Sequence, residues 1–137
     1  MVKNRFCFSK PRLSATMQNL FMQQRFPQFK FSWKNGIGIW QGTLQPTPLS
    51  PVYHVLIKYN ISLVPKVWVL SPELKATAPH RYKDESLCLY WHKEWSWFPD
   101  RDISKTIVPW VALWLYYYEI WLDTNEWLAE AVPHAPS

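Results

Sequence analysis

Apolar residues recur at helical spacing in LSATMQNLFMQQRF, residues 13–26, where Leu13, Met17, Leu20, Phe21 and Met22 share a face. Ser14 is placed to cap this helix and Pro27 to stop it. The period then changes. FKFSW (29–33) alternates, KNG (34–36) signals a turn, and GIGIWQGTL (36–44) reads as a second strand. A hairpin turn and a strand irregularity account for the glycines of that stretch. After the stiff QPTPLSP segment, VYHVLIKY (52–59) puts Tyr53, Val55, Ile57 and Tyr59 on one side and His54, Leu56 and Lys58 on the other. PKVWVL (65–70) is a fourth strand, and links this short favour an antiparallel meander.

Residues 71–102 show no long period and are rich in Pro, charge and Trp. An irregular stretch of this length in a small domain is often functional. ISKTIVPWVALWLYYYEIWL (103–122) is a long apolar helix, and TNEWLAEAV (124–132) adds a short terminal one. The uncharged run from Thr106 to Tyr118, closed by Glu119, is shorter than the roughly twenty residues of a membrane span. The prediction is a single α+β domain over residues 1–137: an N-terminal helix, a four-stranded antiparallel meander, a long loop and C-terminal helices.

Ten Trp, seven Tyr and seven Phe supply ample area for a packed core without disulfides or metal. Two cysteines, Cys7 and Cys88, make no disulfide framework. MVKNRFCFSKPR is basic without an apolar run behind it, unlike a secretory leader. The expected location is therefore the reducing cytoplasm. The net charge of +5 is concentrated early, since Lys3, Arg5, Lys10, Arg12, Arg25, Lys30 and Lys34 precede any Asp or Glu. Residues 1–12 form a basic arm. Such asymmetry suits a solvated face, an acidic partner or nucleic acid.

The chemistry concentrates in PHRYKDESLCLYW, residues 79–91, which forms the candidate active-site loop within 71–102. His80 stands eight residues before Cys88 and His92 four after it. With His54, these residues match no common zinc spacing, and a second thiolate is lacking unless Cys7 joins them. A Cys–His hydrolase would need His80 or His92 beside the thiol, with Asp84 or Asp100 behind. GIGIWQG lacks the Lys-Ser/Thr of a phosphate-binding loop. Flanked by Leu87 and Leu89, Cys88 also fits a buried packing thiol. The residues alone leave packing, metal ligation and nucleophilic catalysis open.

The order of features from about residue 13 to 122 resembles the ubiquitin-conjugating enzyme family. IWQGTLQP is similar to the family's second strand, PLSPVYHVLIKY to its Ser-Pro-Tyr loop and following strand, and PKVWVL to its Pro-Lys-Val strand. The family's His-Pro-Asn motif lies in the frame of Ala78-Pro79-His80, with the Asn position eight residues before the catalytic cysteine, here Cys88 in LCLY. EWSW and DISKTI are similar to the family's lead-in to the next helix. The departures are Ala78 for His, His80 for Asn, Glu85 for a usual Gly, and a longer stretch between Pro65 and Pro79. HRYKDESLCLYW, the dense tryptophans and the tail YYEIWLDTNEWLAEAVPH resemble the bacterial conjugating proteins of cyclic-oligonucleotide antiphage signalling, CBASS, in their short form without a fused activating domain.

This resemblance implies that Cys88 forms a thioester with the C-terminus of a cyclic GMP-AMP synthase-like nucleotidyltransferase and passes it to a lysine amine of an acceptor protein. It implies His80 as a catalytic aid, Tyr82 and Asp84 as groove or assisting residues, no metal and no cofactor. Neither nucleic acid nor membrane is an expected partner. Trp95, Trp97 and Trp110 are expected to pack, and Cys7 is incidental. The alternatives are a catalytically inactive scaffold of the same fold, which the retained cysteine disfavours, and a basic nucleic-acid-binding module.

Overall fold

The computed structural model describes residues 12–90 and 95–128. Its elements are α1 (Ala15–Arg25), β1 (Lys30–Lys34), β2 (Ile37–Leu44), β3 (Tyr53–Tyr59), β4 (Lys66–Ser71) and α2 (Ile107–Thr124). The strands form one antiparallel sheet in the order β1-β2-β3-β4, the predicted meander of an α+β domain. Residues 125–128 do not extend the helix; the rest of the short terminal helix expected over 124–132 lies outside the described residues.

Local chemistry sets the boundaries. Ser14 caps α1 by accepting the Met17 N–H at 3.2 Å. Asn35 and Gly36 both take positive φ, 53° and 78°, the conformation a two-residue hairpin needs between β1 and β2. Helix α2 begins four residues later than its apolar pattern because Asp102 folds the chain before it. The Asp102 carboxylate accepts the Ser104 N–H at 2.9 Å and hydroxyl at 2.7 Å. Pro109 then sits in the first turn, where a missing N–H costs no helical bond.

The core lies between α2 and one face of the sheet. Ile107, Val108, Val111 and Leu115 pack with Trp40, Val55, Ile57 and Val67. Strand β3 buries Tyr53, Val55, Ile57 and Tyr59, as its alternation predicts. Gly42 departs from the expected strand irregularity. Strand β2 pairs in unbroken register with both neighbours, and the register shift falls between His54 and Val55, against β4. Gly42 instead admits Phe29: a Cβ there would lie 2.5 Å from the Phe29 ring and 2.8 Å from its Cα.

Helix α1 also corrects its apolar reading. It buries Ala15, Gln18 and Met22, while Met17 and Leu20 are 41% and 50% exposed. Counting apolar positions misses Gln18, whose amide is satisfied at both ends. Its Nε2 donates to the Arg101 carbonyl at 2.7 Å, and its Oε1 accepts the Ile103 N–H at 2.9 Å.

Glu119 breaks the apolar run of α2 for a similar reason. Its carboxylate accepts the Ser50 hydroxyl and the Tyr53 hydroxyl, each at 2.8 Å, and so pins the β2–β3 connection to the helix. Burial, and then the bond to Glu119, push the Tyr53 hydroxyl well above its ordinary pKa, so it remains a donor. Among the described residues, no helix is long and apolar enough to cross a membrane.

Two hydroxyls bonded to one charged acceptor predict that Glu119→Ala lowers the unfolding free energy by about 3 kcal/mol, measured by urea denaturation. Glu119→Gln should lose less, because its amide oxygen still accepts. A loss below about 0.5 kcal/mol in the alanine variant would contradict this role for the carboxylate.

Candidate active site

Residues 80–88, within the stretch that lacks periodicity, fold into a tight hairpin. Arg81 pairs with Leu87, the Tyr82 N–H donates to the Ser86 carbonyl at 2.9 Å, and the Glu85 N–H to the Tyr82 carbonyl at 2.9 Å. A turn this short leaves no alternation to read. The Leu87 N–H donates to the Val67 carbonyl at 2.9 Å and fastens the hairpin to β4. Glu85 takes φ 69°, the left-handed region in which a side chain is strained and glycine is not.

Asp84 organises the tip. One carboxylate oxygen accepts the Ser86 N–H at 3.0 Å and hydroxyl at 2.6 Å. The other lies 2.6 Å from the Lys66 ammonium, and the Asp84 carbonyl accepts the Trp68 indole N–H at 2.9 Å. Lys66, and then the Ser86 donors, hold the Asp84 carboxyl well below the usual carboxylate range.

His80 and Cys88 meet through the backbone. The Cys88 N–H donates to the His80 carbonyl at 2.9 Å, and the Trp114 indole donates to the same carbonyl at 3.1 Å. His80 takes φ 61°, and its ring packs against Trp127 with centroids 4.9 Å apart. The preceding loop is tied down as well. The Arg81 guanidinium donates to the carbonyls of Lys75 and Ala76, and the Lys75 N–H to the Tyr118 hydroxyl at 2.8 Å.

Cys88 is 4% exposed, as a packing thiol would be, yet polar groups surround its sulfur. The Tyr82 hydroxyl hydrogen-bonds to it, and the Cys88 thiol donates in turn to the Tyr90 carbonyl at 3.8 Å. Desolvation, and then the bond to Cys88, push the Tyr82 hydroxyl well above its ordinary pKa; burial, and then the charge of Cys88, raise that of Tyr90. Both phenols therefore stay protonated around neutrality. The Tyr82 side chain is half exposed, so its rim faces solvent while its hydroxyl meets the sulfur.

Tyr82 also divides two cavities. One, of about 520 Å³, is lined by residues including Trp68, Leu74, Arg81 and Glu85. The other, of about 510 Å³, is lined by residues including Val64, Lys66, Asp84 and Leu87. Cys88 lines neither of these two cavities.

The structure thus gathers Cys88, His80 and Tyr82 and places Asp84 at the hairpin tip, bonded to Lys66. His54 faces away on the exposed side of β3, and Cys7 and His92 lie outside the described residues. Among the described residues, no three His, Cys, Asp or Glu side chains converge to hold a metal. Trp95 packs on Tyr90 and Trp110, with centroids 4.6 and 4.8 Å apart, and Trp97 on Tyr59 at 6.0 Å. Sequence reasoning missed Lys66, Trp114 and Trp127, which reach the loop from distant segments with no local spacing to betray them.

A family model described as Type II CBASS E2 protein matches residues 18–135, a span running from α1 through the Cys88 hairpin and α2. None of the curated proteins matches the chain.

The backbone of Glu85 predicts that Glu85→Gly stabilises the domain by up to about 1 kcal/mol, the relief of left-handed strain less the extra freedom of unfolded glycine. The Arg81–Glu85 contact at 3.9 Å is too long and exposed to offset this. A fall in thermal midpoint for Glu85→Gly would contradict the assignment.

Proposed function

The chain belongs to the type II CBASS E2 family, E2-like proteins of antiphage defence that work with a CBASS cyclase, and from that premise we propose that Cys88 is the acyl carrier of a conjugation reaction. The donor is the C-terminus of a cyclic GMP-AMP synthase-like nucleotidyltransferase. The Cys88 thiolate attacks the donor's carbonyl carbon, the donor's leaving group departs, and a thioester remains. A lysine amine of an acceptor protein then attacks the same carbon, the C–S bond breaks, and an isopeptide bond replaces it. Covalent catalysis of this kind divides one slow acyl transfer into two easier steps.

The observation that supports this reading most is the setting of the sulfur. Its backbone is locked to His80, and a protonated phenol, Tyr82, bonds to its side chain. That hydroxyl can turn to the carbonyl oxygen and steady it once the sulfur is acylated.

His80 assists in this proposal. An imidazole N–H can steady the oxyanion as the family's Asn side chain would, and a neutral imidazole can also take a proton from the incoming amine. Asp84 receives that amine as a fixed negative charge. Held low by Lys66, its carboxylate orients better than it deprotonates. A thioester lies above a peptide bond in free energy, and the sequence carries no nucleotide-binding motif. Its formation therefore draws on a separate activating enzyme, or on a donor peptide bond whose exchange is trapped by binding.

Mixing the protein with a cyclic GMP-AMP synthase-like nucleotidyltransferase of a CBASS system should give an adduct on a gel without reductant that disappears with reductant. Cys88→Ser should abolish the adduct or convert it to a reductant-stable ester; an unchanged reducible adduct in Cys88→Ser would refute the assignment.

His80→Ala should slow discharge to a free amine by about tenfold or more with the fold unchanged by circular dichroism, while His80→Asn, which retains a donor and tolerates left-handed backbone, should stay within about threefold of the parent. Discharge by His80→Ala at the parent rate would leave His80 with a backbone role alone.

A further inference from the structure

The hairpin uses most of Asp84 for its own folding. One carboxylate oxygen is taken by Ser86 and the carbonyl by Trp68. The remaining oxygen, Oδ2, holds the Lys66 ammonium at 2.6 Å, between side chains 54% and 39% exposed. An ion pair so exposed adds little to stability. Its position is more informative. Lys66, Asp84 and Tyr82 line one cavity, and the Tyr82 hydroxyl bonds to Cys88. A primary amine of this chain is thus stationed at a fixed carboxylate, beside the hydrogen-bond partner of the candidate nucleophile.

We propose that Lys66 is an internal acceptor, so that an acyl group carried on Cys88 passes to the Lys66 amine and the chain conjugates itself. The inference rests on the reading of Cys88 as an acyl carrier. The uncharged Nζ attacks the thioester carbonyl, the C–N bond forms, the C–S bond breaks, and the sulfur leaves as thiolate. The proton shed by nitrogen goes to that thiolate or to water, and nothing is oxidised or reduced. The two partners sit on connected backbone, because the Leu87 N–H to Val67 carbonyl bond joins the hairpin to β4 one residue from each. That connection replaces a bimolecular encounter with an intramolecular one, and the four-carbon lysine stem supplies the reach. Lys83 lines the same cavity, but the carboxylate holds Lys66. Only the uncharged amine attacks, so transfer should quicken as pH rises.

The test needs no protein partner. Every protein tested carries Cys7→Ser, so that Cys88 is its one thiol; a short peptide thioester of mercaptoethanesulfonate acylates that thiol by exchange, and intact-mass spectrometry follows the product. The expected course is a hydroxylamine-labile adduct that gives way to a hydroxylamine-resistant one mapping to Lys66, faster at higher pH. In Lys66→Arg the labile adduct should form and last longer while the resistant one is lost; in Cys88→Ala neither should form. A labile adduct that only hydrolyses, a resistant one mapping to Lys83, or equal Lys66 labelling in Cys88→Ala would each overturn the proposal while leaving the carrier role of Cys88 untouched. Absence of any labile adduct on the Cys7→Ser protein, with Cys88 and Lys66 intact, would instead remove the carrier reading, and this inference with it.

Discussion

One carbonyl oxygen organises the site. The His80 carbonyl accepts the Cys88 N–H from across the hairpin and the Trp114 indole N–H from the middle of α2. The first bond sets where the sulfur begins, and the second ties that point to the most deeply packed helix of the domain. A left-handed residue is needed to turn the carbonyl this way, and His80 has φ 61°. The ring of Trp127, 4.9 Å from the imidazole and 5.1 Å from Trp114, braces both. The loop is therefore positioned by the core rather than by its own short sequence. Such support suits a nucleophile that must meet a carbonyl within a few tenths of an ångström.

The same device recurs elsewhere: single polar groups, buried or partly buried in apolar elements, join parts of the chain that no alternation connects. Gln18 links α1 to the segment before α2, Glu119 links α2 to the β2–β3 connection, and Trp114 links α2 to the Cys88 hairpin. Each is satisfied by its partners, so each fixes a relative position at little desolvation cost. Apolar packing between α2 and the sheet supplies the cohesion, and these bonds select one arrangement of the connecting loops. The result is a braced frame around a half-exposed Tyr82, which lines the two cavities beside the hairpin.

Much of this was legible in the chain. The alternation of residues 52–59 predicts the buried face of β3 residue by residue, because a strand's period of two survives in its own sequence. The Asn35–Gly36 turn and the Ser14 cap are local chemistry and were equally plain. The buried face of α1 was not, because Gln18 looks polar until its two partners, more than eighty positions away, are known. In the site, the interval between His80 and Cys88 was visible and the hairpin that makes it meaningful was not. Glu85 stands where the resembling family keeps glycine, and its φ of 69° shows the constraint that glycine answers. Lys66 approaches from β4 and Trp114 from α2, so neither announced itself by spacing.

These features bear on one claim, that the Cys88 sulfur accepts the cyclase C-terminus. Peptide mapping by mass spectrometry, on the protein purified at mildly acidic pH after co-expression with its cyclase, addresses it at the level of the bond. The account predicts a fragment in which the cyclase's terminal carbonyl is joined to Cys88 and is released by hydroxylamine. Co-purification of the two proteins with every cyclase C-terminus unjoined to Cys88 would contradict it, leaving a scaffold in place of an acyl carrier.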